Sequence, residues 1–170
     1  LLSGSMSSVD RIRPDLITEL ENEIGFLESN WPSDLPQGVI HADLFPDNAF
    51  FCRGKLTGLL DFYFACTDML AYDIAICLNA WCFNPNGSFD VGKSQRMLTA
   101  YSDVRPLSNP EMAAIPILTR GAAIRFLLTR LYDWLHTPSD AIVNKKDPLE
   151  YRENLRFHQL VNGLADYGIN

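Results

Sequence analysis

Apolar residues recur every three or four positions along much of the chain, which is the spacing of helices that bury one face. In the first such stretch, which begins near Pro14, acidic residues take mostly the opposite side, and Pro32 ends the pattern. Further helices are predicted from Leu70 to the turn at 84–87, over about 91–102, and from about 147 to 164. The bulk of the chain is therefore expected to be helical.

A long apolar stretch over residues 112–135 predicts further helix, and Ser108 or Asn109 is suited to cap its start. A proline inside a helix lacks the N–H that bonds to the preceding turn. Pro116 is therefore expected to divide the stretch into a short helix and a longer one from Ile117.

The helical pattern is interrupted between residues 38 and 61, where a dense polar string separates two short apolar runs. Residues 39–40 form a brief β-prone run before the string, and residues 49–52 resume it afterwards. A second strand is predicted over 56–60, after a short turn. The polar string is therefore expected to lie in a loop between strands.

Segment 62–68 is too aromatic for a solvated loop and too irregular for a clear helix, so we expect it to pack beside the polar string without a regular element. The whole pattern predicts one patch of two or three strands among five or six helices. A sheet that small cannot stand alone, so the helices must provide the core. The predicted fold class is mainly α with a small β-hairpin platform (α+β).

Composition narrows the classes of partner. The chain has 170 residues, 47% of them apolar, and its 21 acidic against 14 basic residues give a formal charge of −7. Nucleic acids and anionic membranes need clustered positive charge, so we expect neither as a partner. No apolar run approaches the roughly 18 residues of a membrane helix. The four cysteines form no C-x-x-C pair, so we expect buried free thiols in a cytoplasmic protein.

The polar string carries the candidate chemistry. Phosphoryl transfer needs a positioned acceptor hydroxyl and magnesium ions on the phosphates, and Mg²⁺ prefers carboxylate and amide oxygens. Asp43 would accept the hydroxyl proton as the catalytic base, and Asn48 in the loop and Asp61 after the second strand would hold Mg²⁺. His41 would fix the shape of the loop through hydrogen bonds to the backbone.

Two other interpretations of these residues stay open. Asp and Asn commonly cap turns, so Asp43 and Asn48 could have only that role. A metal-dependent hydrolase that uses His41, Asp43 and Asp61 is a weaker alternative, because no further histidine supplies a usual transition-metal site.

Residues 41–48 read HADLFPDN, and Asp61 in LLDF and Asp73-Ile-Ala follow. The first motif resembles the catalytic loop of the aminoglycoside phosphotransferase and choline kinase superfamily. The other two resemble its metal aspartate and the start of its next helix. Within it, the sequence from about Glu19 to His158 is similar to the kinase-like homoserine kinases of bacteria. The resemblance implies the C-terminal lobe of a protein-kinase-like fold, with ATP and Mg²⁺ as cofactors. It implies transfer of the γ-phosphoryl group to homoserine, in threonine biosynthesis. Asp73 lies within an apolar helix, where an unpaired carboxylate is costly to bury, so we expect it to brace the loop.

The charged groups of such an acceptor also need partners. Three arginines recur every five residues along the last apolar stretch, so they rotate around the helix and most are expected to be ion-paired. Arg125 or Arg130 is a candidate to clamp the substrate carboxylate. Tyr63, Asp68 or Asp133 is a candidate to receive the ammonium. Choline, an aminoglycoside or another amino alcohol is the alternative acceptor.

Parts of a complete kinase have no candidate in this sequence. No Gly-rich loop precedes residue 38, and Lys55 is the first lysine. We therefore expect residues 13–170 to be a kinase-like C-terminal catalytic lobe, inactive without an N-terminal nucleotide-binding lobe. Residues 1–12 are expected to be a flexible linker or the remnant of a tag. The alternative class is a non-catalytic binding module derived from a kinase lobe.

Overall fold

The computed structural model describes residues 14–138 and 146–169, so the predicted linker over residues 1–12 lies outside the described residues. The helices are α1 (Leu16–Asn30), α2 (Leu70–Trp81), α3 (Val91–Val104), α4 (Asn109–His136) and α5 (Pro148–Leu160). The strands are β1 (Gln37–Ile40), β2 (Ala49–Cys52), β3 (Lys55–Leu59) and β4 (Cys66–Met69). Helices dominate and a β-hairpin is present, so the predicted α+β class is confirmed.

The core lies along α4, which packs mainly against α5 and α2. Leu118 of α4, Ala75 of α2 and Leu155 of α5 are all completely buried. Leu16 and Leu20, on the apolar face of α1, pack into the same cluster. The strands β2 and β3 are mostly exposed, so the helices provide the core, as their apolar spacing predicts.

The predicted division of the long helix at Pro116 is wrong, because α4 runs through this residue without a break. Ser108 caps its start in a capping box with Glu111. Ile115 and Leu118, on either side of the proline, are both completely buried. Burial of apolar residues on both sides of Pro116 outweighs the backbone hydrogen bond that the proline removes.

By length and composition alone, α4 is a helix that could cross a membrane, and 56% of its most apolar window is buried inside the protein. The sequence pattern did not suggest such a run because Arg120, Arg125 and Arg130 interrupt it. All three arginines have partners on neighbouring elements. The buried apolar residues of α4 belong to the core cluster of the protein, as expected for a core helix.

The strands form two separate antiparallel pairs instead of the single patch predicted. β2 and β3 make the predicted hairpin. β1 pairs with β4, from Gln37 opposite Met69 to Ile40 opposite Cys66. The sequence pattern did not predict β4, because its first residues are exposed and it lacks the alternating apolar positions of a half-buried strand.

Two smaller expectations are also wrong. The last helix, α5, ends at Leu160 instead of near Leu164, and a separate 3₁₀-helix over Leu164–Tyr167 follows it. Cys52 and Cys66 are unpaired as expected but exposed, because they lie at exposed positions of β2 and β4.

Candidate active site

Asp73, in the first turn of α2, holds the loop that follows β1. Its Oδ2 accepts a hydrogen bond from the backbone nitrogen of His41 at 3.2 Å, and its Oδ1 accepts one from that of Ala42 at 2.8 Å. Ala42 has a φ of 61°. This left-handed conformation costs a residue with a Cβ about 1–2 kcal/mol. The two charge-assisted hydrogen bonds stabilise the turn, and Asp43 comes directly after it.

The ring of His41 joins two parts of the site. One ring nitrogen, Nε2, lies 2.8 Å from the carbonyl oxygen of Leu60, and the other, Nδ1, lies 3.3 Å from the backbone nitrogen of Asp43. A carbonyl oxygen accepts and an amide donates, so the tautomer with its proton on Nε2 satisfies both contacts. Because both ring nitrogens are used within the loop, neither is left for a metal, which disfavours the hydrolase interpretation.

Asn48 ends the short 3₁₀-helix Pro46–Asn48 and turns back toward Asp43. Its Nδ2 donates a hydrogen bond to the Asp43 carbonyl oxygen at 2.8 Å. Its own backbone oxygen accepts one from the Leu60 nitrogen at 2.9 Å, which ties the loop to the end of the hairpin. Because the side-chain nitrogen is used in the loop, the amide oxygen is the atom that Asn48 offers to a cation.

Asp61 follows Leu60 and has a left-handed backbone with a φ of 60°, which Asp tolerates better than most residues. Asn48 and Asp61 thus offer two hard oxygen ligands next to the loop. This set fits Mg²⁺, which usually takes one or two protein carboxylates and completes its shell with water and phosphate oxygens. Over residues 14–138 and 146–169, no cluster of three or more His, Cys, Asp or Glu forms a metal cage.

Asp43 lies in a mixed electrostatic environment. Burial is the largest influence and raises the pKa of its carboxyl, and Arg125 is the next and lowers it. Repulsion from Asp61 raises the pKa further, while His41 and Lys146 lower it, and the net shift is upward. A carboxylate with a raised pKa accepts a proton more readily, as a catalytic base must.

Arg125 reaches this loop from α4. Its Nη1 donates a hydrogen bond to the carbonyl oxygen of Ala42 at 2.7 Å, and its guanidinium lies 4.7 Å from the ring centre of Phe126. These contacts place Arg125 close to Asp43, on the backbone of the loop, and its binding of a substrate carboxylate stays a prediction.

Two further residues of α2 hold the loop and were not assigned to the site from the sequence. Trp81 Nε1 donates a hydrogen bond to the Leu44 carbonyl oxygen at 2.8 Å, and the Cys77 Sγ lies 3.9 Å from the same atom. Asp73, Cys77 and Trp81 are spaced four residues apart, so they share one helix face. That spacing was the signal that could have identified the loop-bearing face of α2.

The remaining candidates are less directly connected to the loop. Arg130 pairs with Glu150 at 2.6 Å. Tyr63 is 91% exposed in the turn after Asp61, and Asp68 on β4 accepts a hydrogen bond from the next backbone amide at 2.7 Å. Within the described parts of the chain, no hydrogen bond joins Tyr63 or Asp68 to loop residues 41–48, and their roles as ammonium ligands stay predictions.

A large apolar surface lies uncovered beside Asp61. Six apolar residues of the hairpin and the turn after it, here called the hairpin surface, are each at least half exposed: Phe50, Phe51, Leu56, Leu60, Phe62 and Phe64. Monomeric soluble proteins rarely expose so many neighbouring large apolar side chains, and such patches mark interaction sites.

The protein has short antiparallel strands on a helical core, and a helix carboxylate holds the loop after the first strand. This is the architecture of a kinase-like phosphotransferase lobe. Comparison with known families agrees, because residues 4–107 match the phosphotransferase enzyme family. That match covers more than half of the chain, and the chain belongs to this family. The superfamily resemblance of the polar string is thereby confirmed.

Individual relatives are similar along the whole chain. It is 61% identical to the homoserine kinase of Xanthobacter autotrophicus over 169 residues. It is 57% identical to the homoserine kinases of Rhizobium rhizogenes, over 169 residues, and Rhodospirillum rubrum, over 170. These alignments cover 99% or 100% of this chain and 53% of each relative. The chain therefore spans about half the length of the curated relatives it matches.

Proposed function

We propose that this chain is the C-terminal catalytic lobe of an ATP- and Mg²⁺-dependent kinase that phosphorylates the side-chain hydroxyl of homoserine, a step of threonine biosynthesis. The observation that carries the proposal is a loop held by Asp73 that presents Asp43 beside Asn48, in a chain 61% identical to a protein named homoserine kinase. The exposed, unpaired thiols of Cys52 and Cys66 fit a reducing compartment, so we place the reaction in the cytoplasm.

In this reaction the homoserine oxygen forms a bond to the γ-phosphorus of ATP while the bond from that phosphorus to the ADP oxygen breaks. Asp43 orients the hydroxyl and accepts its proton, a role that its raised pKa favours. Asn48 and Asp61 would hold Mg²⁺, which supplies positive charge to the phosphate oxygens. Asp73 keeps the loop, and with it Asp43, in position.

The proposal requires a second lobe. The chain spans about half the length of its relatives, and no Gly-rich loop precedes residue 38. We infer that residues 13–170 form one lobe, and that an N-terminal lobe covers the hairpin surface and completes the nucleotide site. Burying one large apolar side chain contributes about 1.5–3 kcal/mol, so covering this surface would stabilise the contact between lobes. The C-terminal lobe alone is expected to be inactive.

A phosphotransfer assay tests the acceptor. It uses the full-length protein, meaning this chain joined to the N-terminal half that its relatives have, with homoserine, choline and kanamycin as acceptors. We expect turnover of homoserine. Turnover of choline or kanamycin without homoserine would assign the chain to another acceptor class, and no turnover of any acceptor would favour a non-catalytic module.

The Asp43→Asn variant tests the catalytic base. We expect kcat to fall by about 10²–10⁴-fold, the usual contribution of a general base, while the KM for ATP changes little. Asp103→Asn makes the same chemical change on an exposed part of α3 and is the matched control. An equal loss of ATP binding in Asp43→Asn would indicate a structural role instead.

Calorimetry of Mg²⁺-dependent nucleotide binding tests the metal ligands. We expect Asp61→Ala to weaken binding of the Mg²⁺–nucleotide complex, because it removes one of two oxygen ligands. Binding that does not depend on Mg²⁺, or on Asp61, would contradict this assignment.

A further inference from the structure

A cavity of about 430 Å³ opens beside the catalytic loop, between loop residues 45–47, the C-terminal end of α2 and the first half of α5. This volume is within the range of about 300–1,000 Å³ that is typical of small-molecule sites. Asp43, Asn48 and Asp61 do not line the cavity. The groups assigned to phosphoryl transfer therefore leave this space without a function.

Four charged side chains line the cavity and form two ion pairs. Arg130 lies 2.6 Å from Glu150, and Lys146 lies 3.5 Å from Asp47. Two positive and two negative groups in one small-molecule site match a ligand that carries both signs. An α-amino acid is such a ligand, because it has one carboxylate and one ammonium group at neutral pH.

Arg130 is the better positioned of the two cations. Its side chain is 12% exposed, and its guanidinium lies 4.4 Å from the ring centre of Tyr151. The side chain of Lys146 is 57% exposed and lies 5.5 Å from the ring centre of Phe45. A guanidinium has five N–H donors, so a pair with Glu150 leaves donors for the two oxygens of a ligand carboxylate.

The cavity is connected to the candidate base. Phe45, which lines it, donates its backbone N–H to the Asp43 carbonyl oxygen at 2.9 Å. Phe45 and Tyr151 both pack against Phe126, with ring centres 4.9 and 5.5 Å apart, and give the cavity an apolar side. Phe45 therefore joins the cavity to the loop that carries Asp43.

We propose that this cavity binds the charged head of the acceptor, with its carboxylate on Arg130 and Lys146 and its ammonium on Glu150 and Asp47. The assignment rests on the proposed kinase function and makes the acceptor class zwitterionic α-amino acids. A cationic amino alcohol such as choline has no carboxylate and would leave both cations without a new partner, so the site selects against it.

The test measures KM in the full-length protein for homoserine and for 3-amino-1-propanol, which is homoserine without its carboxylate. We expect Arg130→Gln and Lys146→Gln each to raise the KM for homoserine by about 10- to 100-fold, because each removes a charge-assisted hydrogen bond. The KM for 3-amino-1-propanol should not rise, because this amine has no carboxylate to lose a partner, and the KM for ATP should stay unchanged. Arg156→Gln is the matched control, since Arg156 lies on α5 but pairs with Glu19 and Glu153 outside the cavity.

The possible results of this test distinguish an error in the cavity assignment from an error in the proposed kinase function. An unchanged homoserine KM in both variants, with wild-type turnover of homoserine intact, would overturn the cavity assignment alone. A raised KM for ATP would assign Arg130 and Lys146 to the phosphates and overturn it too. Absence of homoserine turnover in the wild type would overturn the proposed function, and the cavity assignment with it. Lys146→Gln changes a largely exposed side chain, so the test stands even if Arg130→Gln does not fold.

Discussion

Replacement of Asp73 by asparagine tests how the catalytic loop is held. Asp73 has no contact with acceptor or phosphate in the proposed reaction and acts through the backbone amides of His41 and Ala42. Asparagine has the same shape, but only one of its two terminal atoms is an acceptor. In Asp73→Asn, the Nδ2 group of the asparagine would therefore face a backbone N–H, and two donors would oppose each other.

The magnitude follows from these two hydrogen bonds. Hydrogen bonds to charged groups contribute about 1.5–3 kcal/mol, and neutral ones about 0.5–1.5 kcal/mol. Asp73→Asn removes one charged bond and turns the other into a neutral one, so we expect the free energy of unfolding to fall by about 3 kcal/mol. The left-handed turn at Ala42 is then released, and a displacement of Asp43 by one ångström lowers kcat by about 10²-fold.

Urea unfolding and steady-state kinetics of the full-length protein check both effects. The unfolding midpoint and kcat should fall in Asp73→Asn while the KM for ATP changes little, and the surface control Asp103→Asn should behave as the wild type. Partial unfolding would also lower the apparent kcat at an unchanged KM, so kcat is divided by the folded fraction measured under the assay conditions. A kcat that stays low after this correction identifies Asp73 as a positioning residue. Wild-type kcat and midpoint in Asp73→Asn would refute the reasoning.

Three further predictions concern stability. Burial lowers the pKa of His158 to about 3, below its ordinary value of 6.5, so the folded protein binds this proton less readily than the unfolded chain. The contribution of His158 to the free energy of unfolding is complete above pH 6.5 and is lost as the pH falls, with a loss of about 2 kcal/mol at pH 5. Urea titrations above pH 6.5 and at pH 5 should show that His158→Gln, but not His136→Gln, removes this loss. Ala42→Gly should raise the free energy of unfolding by up to about 1 kcal/mol and keep activity, because glycine adopts the left-handed turn without strain. Glu23→Gln should lower the unfolding free energy by about 3–5 kcal/mol, because it leaves the largely buried Arg120 without its carboxylate partner at 2.7 Å.

Each of these three has a contradicting result. Equal acid sensitivity of His158→Gln and the wild type would exclude His158 as the titrating group. A lower unfolding midpoint for Ala42→Gly would show that the turn at this residue is not strained. A midpoint for Glu23→Gln equal to that of Glu21→Gln, which changes an exposed residue of the same helix, would show that the buried pair contributes little.

Helices were predictable where local spacing determines their structure. The apolar spacing located α1, which buries one face, and α2, most of whose residues are buried. The same reasoning failed at Pro116, where the packing of distant residues keeps α4 continuous. It also failed for β4, whose partner β1 lies far away in the chain and whose own residues carry no strand pattern. Long-range pairing was the information that the local pattern lacked.

The candidate site also contains residues that the sequence could identify and contacts that it could not. Asp43, Asn48 and Asp61 could be chosen from the sequence because phosphoryl transfer needs their oxygen atoms and they lie within one short segment. The contact of Arg125 with the loop could not, because it joins residues 83 positions apart. The cavity beside Lys146 likewise exists only where α5 meets the loop.

The pairing of β1 with β4 has a consequence for how such a protein diversifies. Because β4 pairs antiparallel with β1, the two ends of segment 41–65 lie next to each other. The candidate base and both proposed magnesium ligands lie inside this closed segment, whereas Arg130 and Glu150 lie on α4 and α5. Substitutions on α4 and α5 can therefore change residues proposed to bind the acceptor while Asp43, Asn48 and Asp61 are inherited unchanged. Asp47, the other proposed ammonium ligand, lies inside the segment and would change with the acceptor.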